Sequence, residues 1–339
     1  MNNYNTYGGG YYRPPYQPPR DVLPVPKWEK KRIRSVYSGT AWLFLLSEIL
    51  AYIFAMIFYS IIYGSSSPRM DADGNIVTTP SVIIYGSFSV TLSLIVLTLI
   101  YSAYTHRKFT DLFNTEKLSA EKLLLTVFIA LGMAQVCYLI DFFLSSVLYS
   151  AGYEYNPMSA DPDTAAGWVL EVIATVITAP IFEELFYRGV IMRNAARVNK
   201  KFAVFLSAAI FGLAHGNPYQ FVLGFLVGIV FGYADIKMNS IIPSILAHMA
   251  VNAHTFISYA YAGQPDNIQT MLQLGEMLIF FIGGIIALVI ALSKYKLESL
   301  PSNGYYRKRT MPILITSIPA WVTFLYMLYT TFSSLTPIE

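Results

Sequence analysis

Two adjacent glutamates followed by an arginine lie in an apolar stretch of the chain. The segment reads Phe-Glu-Glu-Leu-Phe-Tyr-Arg-Gly, with carboxylates at Glu183 and Glu184 and a guanidinium at Arg188. On an α-helix Arg188 lies one turn after Glu184 on the same face, so these two residues are expected to pair. Glu183 points about 100° away, and its i+4 neighbour is Tyr187, so it has no cationic partner on its own face. We therefore predict that Glu183 is a general base supported by the Glu184–Arg188 pair, with Pro180 freeing a backbone carbonyl one turn earlier.

Two histidines and an asparagine lie in the following apolar runs. His215 ends a short run, four residues after Phe211, and His248 and Asn252 share a helix face in a later run. At about 1.5 Å per residue, these three residues and Glu183 lie roughly 10–20 Å from one membrane surface. Such a group could hydrolyse a bond, with Glu183 activating water, one histidine orienting it, and the other histidine and Asn252 donating to an oxyanion.

A metal-dependent alternative uses the same residues. Glu183, His215 and His248 could hold a divalent ion such as zinc, whose bound water would be the nucleophile. Neutral imidazole and carboxylate are suitable zinc ligands. The residue types do not choose between the two mechanisms.

The composition indicates what must position these groups. Of the 339 residues, 55% are hydrophobic and only 13% are charged, with a mean hydropathy of +0.49. A soluble domain has about 25% charged residues, so a soluble globular protein is excluded. The sequence predicts an all-α, polytopic bundle of transmembrane helices.

Apolar runs of sufficient length give the number of spans. Crossing the hydrocarbon core takes about 20 residues. Long runs occupy 41–64, 81–104, 123–150, 168–192, 241–261, 274–293 and 311–332, and two shorter runs occupy 202–215 and 221–236. We predict nine spans, or eight if the two short runs form a re-entrant hairpin.

The loop charges predict the orientation. With the N-terminus in the cytoplasm and nine alternating spans, all 23 Lys and Arg residues except Arg69 and Arg188 fall in inner segments. Cytoplasmic loops carry an excess of these residues. The C-terminus is then expected outside.

The chain divides into four parts. Residues 1–40 are a Tyr/Gly/Pro-rich, disordered cytoplasmic tail whose basic stretch 27–34 is suited to anionic lipid. Residues 41–150 contain three spans, 168–261 the candidate catalytic core, and 274–339 two further spans. The bilayer and a peptide or protein are the expected partners, and no nucleic acid is expected.

Other ionisable residues in or beside the spans are assigned no chemistry. They are Glu48, Asp141, Glu171, Asp235, Glu276, His106 and His254. The first three are isolated and are expected to be structural. Asp235 and Glu276 are expected at span ends within reach of water, and the two histidines outside the shared site.

The motifs resemble those of the CPBP intramembrane protease family, which includes CAAX prenyl endopeptidases and bacterial Abi proteins. Within 168–261 its three motifs occur in the family's order: two Glu, three residues and Arg at Glu183, Glu184 and Arg188; Phe, three residues and His at Phe211 and His215; and His, three residues and Asn at His248 and Asn252.

The resemblance implies peptide-bond hydrolysis in or near the membrane, in a multi-pass protein of the bacterial plasma membrane. It makes Glu183 the base, His215 a residue that holds the water, and His248 with Asn252 the oxyanion site. Family members are often called metalloproteases, but the motifs do not settle whether a metal is used. A bacteriocin leader, a signalling peptide or a prenylated tail are the implied substrates.

Two other functions could use a cavity formed by the same residues. A non-catalytic immunity or scaffold protein would bind a partner there, and an ion-coupled transporter would use the buried acids for ions. Inverted repeats in the sequence would favour a transporter, and the sequence shows none.

Overall fold

The computed structural model describes most of the chain beyond the N-terminal tail. The described residues are 25–70, 76–106, 108–155, 162, 164–261, 264–295, 300 and 311–338. The predicted disorder of residues 1–24 therefore lies outside the described residues.

The described residues form a helical bundle, which confirms the predicted all-α class. Nine long helices are present in these residues: α1 Lys27–Tyr63, α2 Pro80–Thr105, α3 Ala120–Ser150, α4 Ala165–Ala195, α5 Lys200–Leu213, α6 Pro218–Met238, α7 Ile242–Thr255, α8 Asp266–Tyr295 and α9 Ile318–Ser333. Each predicted apolar run overlaps one of them. Two short strands, β1 Tyr153–Tyr155 and β2 Leu335–Pro337, pair antiparallel.

The first helix begins earlier than the sequence suggested. The sequence predicts that the basic stretch 27–34 belongs to the tail, whereas α1 already starts at Lys27. Arg32 donates two hydrogen bonds to Glu29 one turn earlier, at 2.9 and 2.6 Å. Alternating charges at this spacing support a helix without an apolar face, so α1 extends through the polar stretch.

Six of the nine helices are long and apolar enough to cross a membrane, namely α1, α2, α3, α4, α6 and α8. The other three are shorter: α5 and α7 have 14 residues each and α9 has 16. Fourteen residues reach only about 21 Å. The count of eight or nine spans is not confirmed and stays a prediction.

Contacts between distant segments sort the helix ends into two groups. At one end, contacts join α1 to the start of α9, the α2–α3 loop to the α6–α7 turn, and α3 to the end of α8: Arg34 with Thr316 at 2.9 Å, Phe113 with Ser240, and Glu121 with Lys294 at 2.7 Å. At the other end, β1 after α3 pairs with β2 after α9. Each contact joins ends that nine alternating crossings place on the same side.

Glycines bring two helix pairs into close contact. A Cβ atom added to Gly284 of α8 would lie 2.6 Å from the Cα atom of Gly132 in α3. A Cβ atom added to Gly212 of α5 would lie 2.6 Å from the carbonyl oxygen of Phe221 in α6. Small residues of this kind drive helix association in lipid, where the hydrophobic effect between helices is weak.

We predict that Gly284→Val destabilises the protein by about 1–3 kcal/mol, because the valine must displace the α3 backbone rather than a flexible side chain. Gly275→Val, on the same helix, is the matched control, since a Cβ atom there meets nothing within 4 Å. Unfolding midpoints in detergent measure both variants. Equal midpoints for the two would contradict the close contact.

Candidate active site

Helix α4 is not a regular α-helix. Glu183 and Glu184 lie in a six-residue α-helical stretch, Ala179–Glu184, between two π-helical segments, Ile173–Thr178 and Leu185–Met192. π-Helical turns are rare and are frequent at functional sites. The two glutamates therefore occupy a locally unusual part of the backbone.

The first π-helical segment explains the position of Asn252. The N–H of Ala179 donates to the carbonyl of Ala174, five residues earlier. The residue five positions after Thr175 is Pro180, which has no N–H to donate. The Thr175 carbonyl instead accepts a hydrogen bond from the Asn252 side-chain amide at 2.8 Å. The carbonyl that Pro180 was expected to free thus orients an amide on α7.

Glu184 is the centre of a buried polar cluster. Its Oε1 accepts a hydrogen bond from Arg188 Nη1 at 3.0 Å, and both side chains are 0% exposed. The same oxygen lies 2.9 Å from His248 Nδ1. The Arg188 guanidinium lies 4.3 Å from the ring centre of Phe211 and 5.3 Å from that of Phe231. The expected Glu184–Arg188 pair is therefore present, and it also holds His248.

The partners of His248 define its hydrogen-bonding state. A carboxylate paired with arginine is only an acceptor, so His248 Nδ1 donates its proton to Glu184. Its Nε2 then faces Glu183, with 3.8 Å to Oε2. The side chain of Glu183 is 19% exposed, whereas that of Glu184 is fully buried. The two adjacent glutamates thus have different environments, and Glu183 is the one accessible to a reactant.

His215 lies at the edge of this cluster. Its Nδ1 is 2.8 Å from the carbonyl of Phe211, which can only accept, so Nδ1 carries the proton and Nε2 has the lone pair. The rings of His215 and His248 both pack edge-on against Phe211, with centroid distances of 5.0 and 5.5 Å. Phe211 therefore links the two histidines of the predicted site.

A cavity of about 410 Å³ opens beside His215. Glu48 of α1 and Tyr326 of α9 also line it, and the Tyr326 hydroxyl donates to Glu48 Oε2 at 3.4 Å. The sequence predicts that Glu48 is isolated and structural. The fold instead places it in the lining of the same cavity as His215. No spacing pattern could have revealed this, because the contact joins parts of the chain far apart in sequence.

Two other acidic residues differ in their surroundings. Asp235 was expected within reach of water but is 1% exposed, and it accepts hydrogen bonds from the N–H and hydroxyl of Ser244 at 3.1 and 2.7 Å. It is therefore a buried link between α6 and α7. Glu276 contacts His254, with 2.6 Å between Oε1 and Nε2. His254 is predicted to lie outside the site. In agreement with this, its described partners are side chains of α8 and α3.

The described residues do not form a site for a divalent metal such as zinc. They contain no group of three or more His, Cys, Asp or Glu side chains that could hold one. His248 and His215 direct Nδ1 to Glu184 and to a backbone carbonyl, which leaves Nε2 of each ring able to bind a metal. The lack of fit therefore lies in the number of ligands that come together among the described residues. We therefore derive no catalytic step through a metal.

Comparisons with known proteins support the interpretation of the motifs. Residues 165–254 match the model of the family described as type II CAAX prenyl endopeptidase Rce1-like. This segment contains α4 to α7 and all seven motif residues. Together the fold and the match describe an integral, multi-pass membrane protein in which residues 165–254 are similar to this family. The resemblance to the CPBP family is thereby confirmed for this part of the chain.

One curated relative is also similar. It is a protein of Bacillus subtilis (strain 168) named "Putative membrane peptidase YdiL", 27% identical over 131 residues. The match covers 38% of this chain and 52% of the relative, so the chain spans about half the length of the curated relative it matches. No solved structure matches the chain significantly.

We predict that Arg188→Met destabilises the protein by about 3–5 kcal/mol, because it leaves the Glu184 carboxylate buried without its cationic partner. The double variant Glu184→Met/Arg188→Met should recover much of this loss, since both charges are removed. Lys294→Met is the control, because the Lys294–Glu121 pair is exposed and such pairs contribute little. A double variant as unstable as Arg188→Met would show that the pair is not the cause.

Proposed function

We propose that this protein is an intramembrane peptidase in which Glu183 activates the water that attacks a peptide bond. The observation that carries the proposal is the position of His248, which contacts Glu184 through Nδ1 and faces Glu183 through Nε2. This arrangement joins a buried, paired glutamate to an accessible one. An accessible carboxylate beside oriented imidazoles is suited to general-base catalysis.

Glu183 and His215 would act on the water. The Glu183 carboxylate accepts a proton from it while the water oxygen attacks the scissile carbonyl carbon. His215 Nε2 accepts a hydrogen bond from the second O–H of the same water and orients it, and this hydrogen stays on the attacking oxygen. Glu183 then gives its proton to the amine that leaves when the carbon–nitrogen bond breaks. Base and acid are thus one residue at successive steps.

Asn252 and His248 would stabilise the oxyanion. One N–H of the Asn252 amide is held by the Thr175 carbonyl, and the second remains for the oxyanion. His248 can donate through Nε2 only as an imidazolium, because its Nδ1 proton is directed to Glu184. Donors held in place before the reaction are the effective ones.

The proposed substrate is a peptide or protein segment that reaches the site from the bilayer or the cytoplasm. The cavity beside His215 is lined by both polar and apolar groups, as a site for a peptide would be. In the predicted orientation, its residues at the ends of α5 and α9 lie at the end of the bundle away from the cytoplasm, so this cavity does not itself provide the cytoplasmic route. The name of the matched family suggests a prenylated tail, and the bacterial relative suggests a peptide of the bacterial plasma membrane. We propose that membrane as the location, with the N-terminus in the cytoplasm, because that orientation puts the Lys and Arg residues inside.

Glu183→Gln is expected to lower kcat for peptide cleavage by about 10²–10⁴-fold, because glutamine cannot accept the proton of water. The assay uses the purified full-length protein in liposomes with a peptide library and mass-spectrometric product detection. Asp141→Asn is the control, since it removes a carboxylate of α3 outside the site. Unchanged cleavage in Glu183→Gln would refute the assigned base. No cleavage by the unmodified protein would favour a non-catalytic binding function.

Chelators are expected to leave the cleavage rate unchanged, because the described residues provide no three-ligand metal site. The measurement compares rates before and after EDTA and 1,10-phenanthroline, with a known zinc protease as the positive control. Elemental analysis of the same samples reports any bound metal. Loss of activity that zinc restores would instead support the metal-dependent mechanism.

A further inference from the structure

A second, larger cleft lies between four helices outside the candidate active site. It has a volume of about 700 Å³ and is bounded by α3, α5, α6 and α8. Its lining shares no residue with the motif residues or with the cavity beside His215. The cleft therefore needs an explanation of its own.

Three lysines lie at one end of this cleft. Lys122 is in the first turn of α3, Lys201 in the first turn of α5, and Lys237 in the last turn of α6. Tyr295, which also lines the cleft, is the final residue of α8. All four residues are thus at the end of the bundle that carries the Glu121–Lys294 contact. In the predicted orientation this is the cytoplasmic end.

The rest of the cleft is apolar. Ile129 of α3, Ile229 and Val230 of α6, and Leu288 of α8 line it about two turns from the lysines. Two helical turns correspond to about 10 Å. A molecule that fills the cleft would therefore place a polar group at the membrane surface and an apolar chain inside the membrane.

The charge at the mouth is positive. Among the described residues that line the cleft there is no Asp or Glu. The acidic residues nearest in sequence to Lys122 and Lys237 are engaged elsewhere: Glu121 pairs with Lys294 at 2.7 Å, and Asp235 accepts hydrogen bonds from Ser244.

Two of the three lysine ammonium groups have described contacts near the mouth. Lys122 Nζ donates to the backbone carbonyl of Lys117 at 2.9 Å and lies 5.6 Å from the ring centre of Tyr295. Lys237 Nζ lies 5.7 Å from the ring centre of Tyr233. A carbonyl and an aromatic face do not neutralise an ammonium group, so Lys122 can still bind an anion.

We propose that this cleft binds one anionic phospholipid, with its phosphate group at Lys122, Lys201 and Lys237 and an acyl chain in the apolar part. Basic pockets between transmembrane helices on the cytoplasmic side bind such headgroups. The combination of charge at the helix ends and apolar surface below them matches this ligand and not a soluble anion. The proposal does not depend on the proposed peptidase activity.

Native mass spectrometry of the purified full-length protein tests the proposal. The probes are dioleoyl phosphatidylglycerol, which is anionic, and dioleoyl phosphatidylcholine, which is zwitterionic with the same acyl chains. The triple variant Lys122→Gln/Lys201→Gln/Lys237→Gln should bind phosphatidylglycerol on the order of 100-fold more weakly, given the usual contribution of each lysine. Binding of phosphatidylcholine should be weak in both proteins and similar.

The matched control is Lys27→Gln/Lys30→Gln/Lys31→Gln, which removes the same charge from the N-terminal turns of α1, away from the cleft. It should retain phosphatidylglycerol within about twofold, because general attraction between lipid and protein charge falls off with distance. Equal losses in the two triple variants would overturn the proposal, and so would equal binding of the two lipids by the unmodified protein.

A second variant separates a lipid site from a site for a free anion. Ala291→Trp fills the apolar part of the cleft and leaves the lysines in place. It should weaken phosphatidylglycerol binding, and inorganic phosphate should not displace the lipid from the unmodified protein. Unchanged lipid binding in Ala291→Trp, together with displacement by phosphate, would show an anion site and refute a lipid site. This variant also tests the proposal if the triple variant does not fold.

Discussion

The structure depends most on the buried carboxylate of Glu184. A charge inside a membrane protein is tolerated only when it is paired and hydrogen-bonded. Arg188 and His248 both bind the same Glu184 oxygen, and the surrounding helices are shaped to admit them. Gly228 shows this clearly, since a Cβ atom there would lie 2.9 Å from Arg188 Nη2. Four helices are thus packed around one ion pair, and its geometry determines where Glu183 can point.

The segment that matches the family does not build the whole site region. Residues 165–254 supply the glutamates, both histidines and Asn252. The cavity beside His215, however, is completed by Glu48 of α1 and by residues of α9 such as Tyr326 and Thr330. Helices outside the matched segment therefore contribute the walls that a substrate would meet. Proteins that share the motifs can differ in these walls and so in what they admit.

Much of this arrangement could be predicted from the sequence, because the membrane imposes simple rules. Every apolar run of the required length became a helix, and the i,i+4 spacing gave the Glu184–Arg188 pair. Other features depend on contacts between distant residues. The bond from His248 to Glu184 joins residues 64 positions apart, and the burial of Asp235 depends on Ser244 of the next helix. No local pattern specifies such contacts.

The π-helical segments of α4 were also beyond a sequence argument. π-Helical turns, with hydrogen bonds between residues i and i+5, are rare within α-helices. No residue pattern in α4 predicts them. The prediction that Glu184 pairs with Arg188 requires a regular α-helix. In the structure, Arg188 lies in the second π-helical segment. The pair nevertheless forms, with 3.0 Å between Arg188 Nη1 and Glu184 Oε1.

The hydrogen bond from Asn252 to Thr175 couples two helices mechanically. Because Pro180 lacks an N–H, the Thr175 carbonyl depends on α7 for its partner, and the Asn252 amide depends on α4 for its orientation. A bend or rotation of α4 would therefore be transmitted to Asn252 through one bond. If α4 shifted, the amide on α7 would turn with it, so that the position of Glu183 and the alignment of Asn252 would change together.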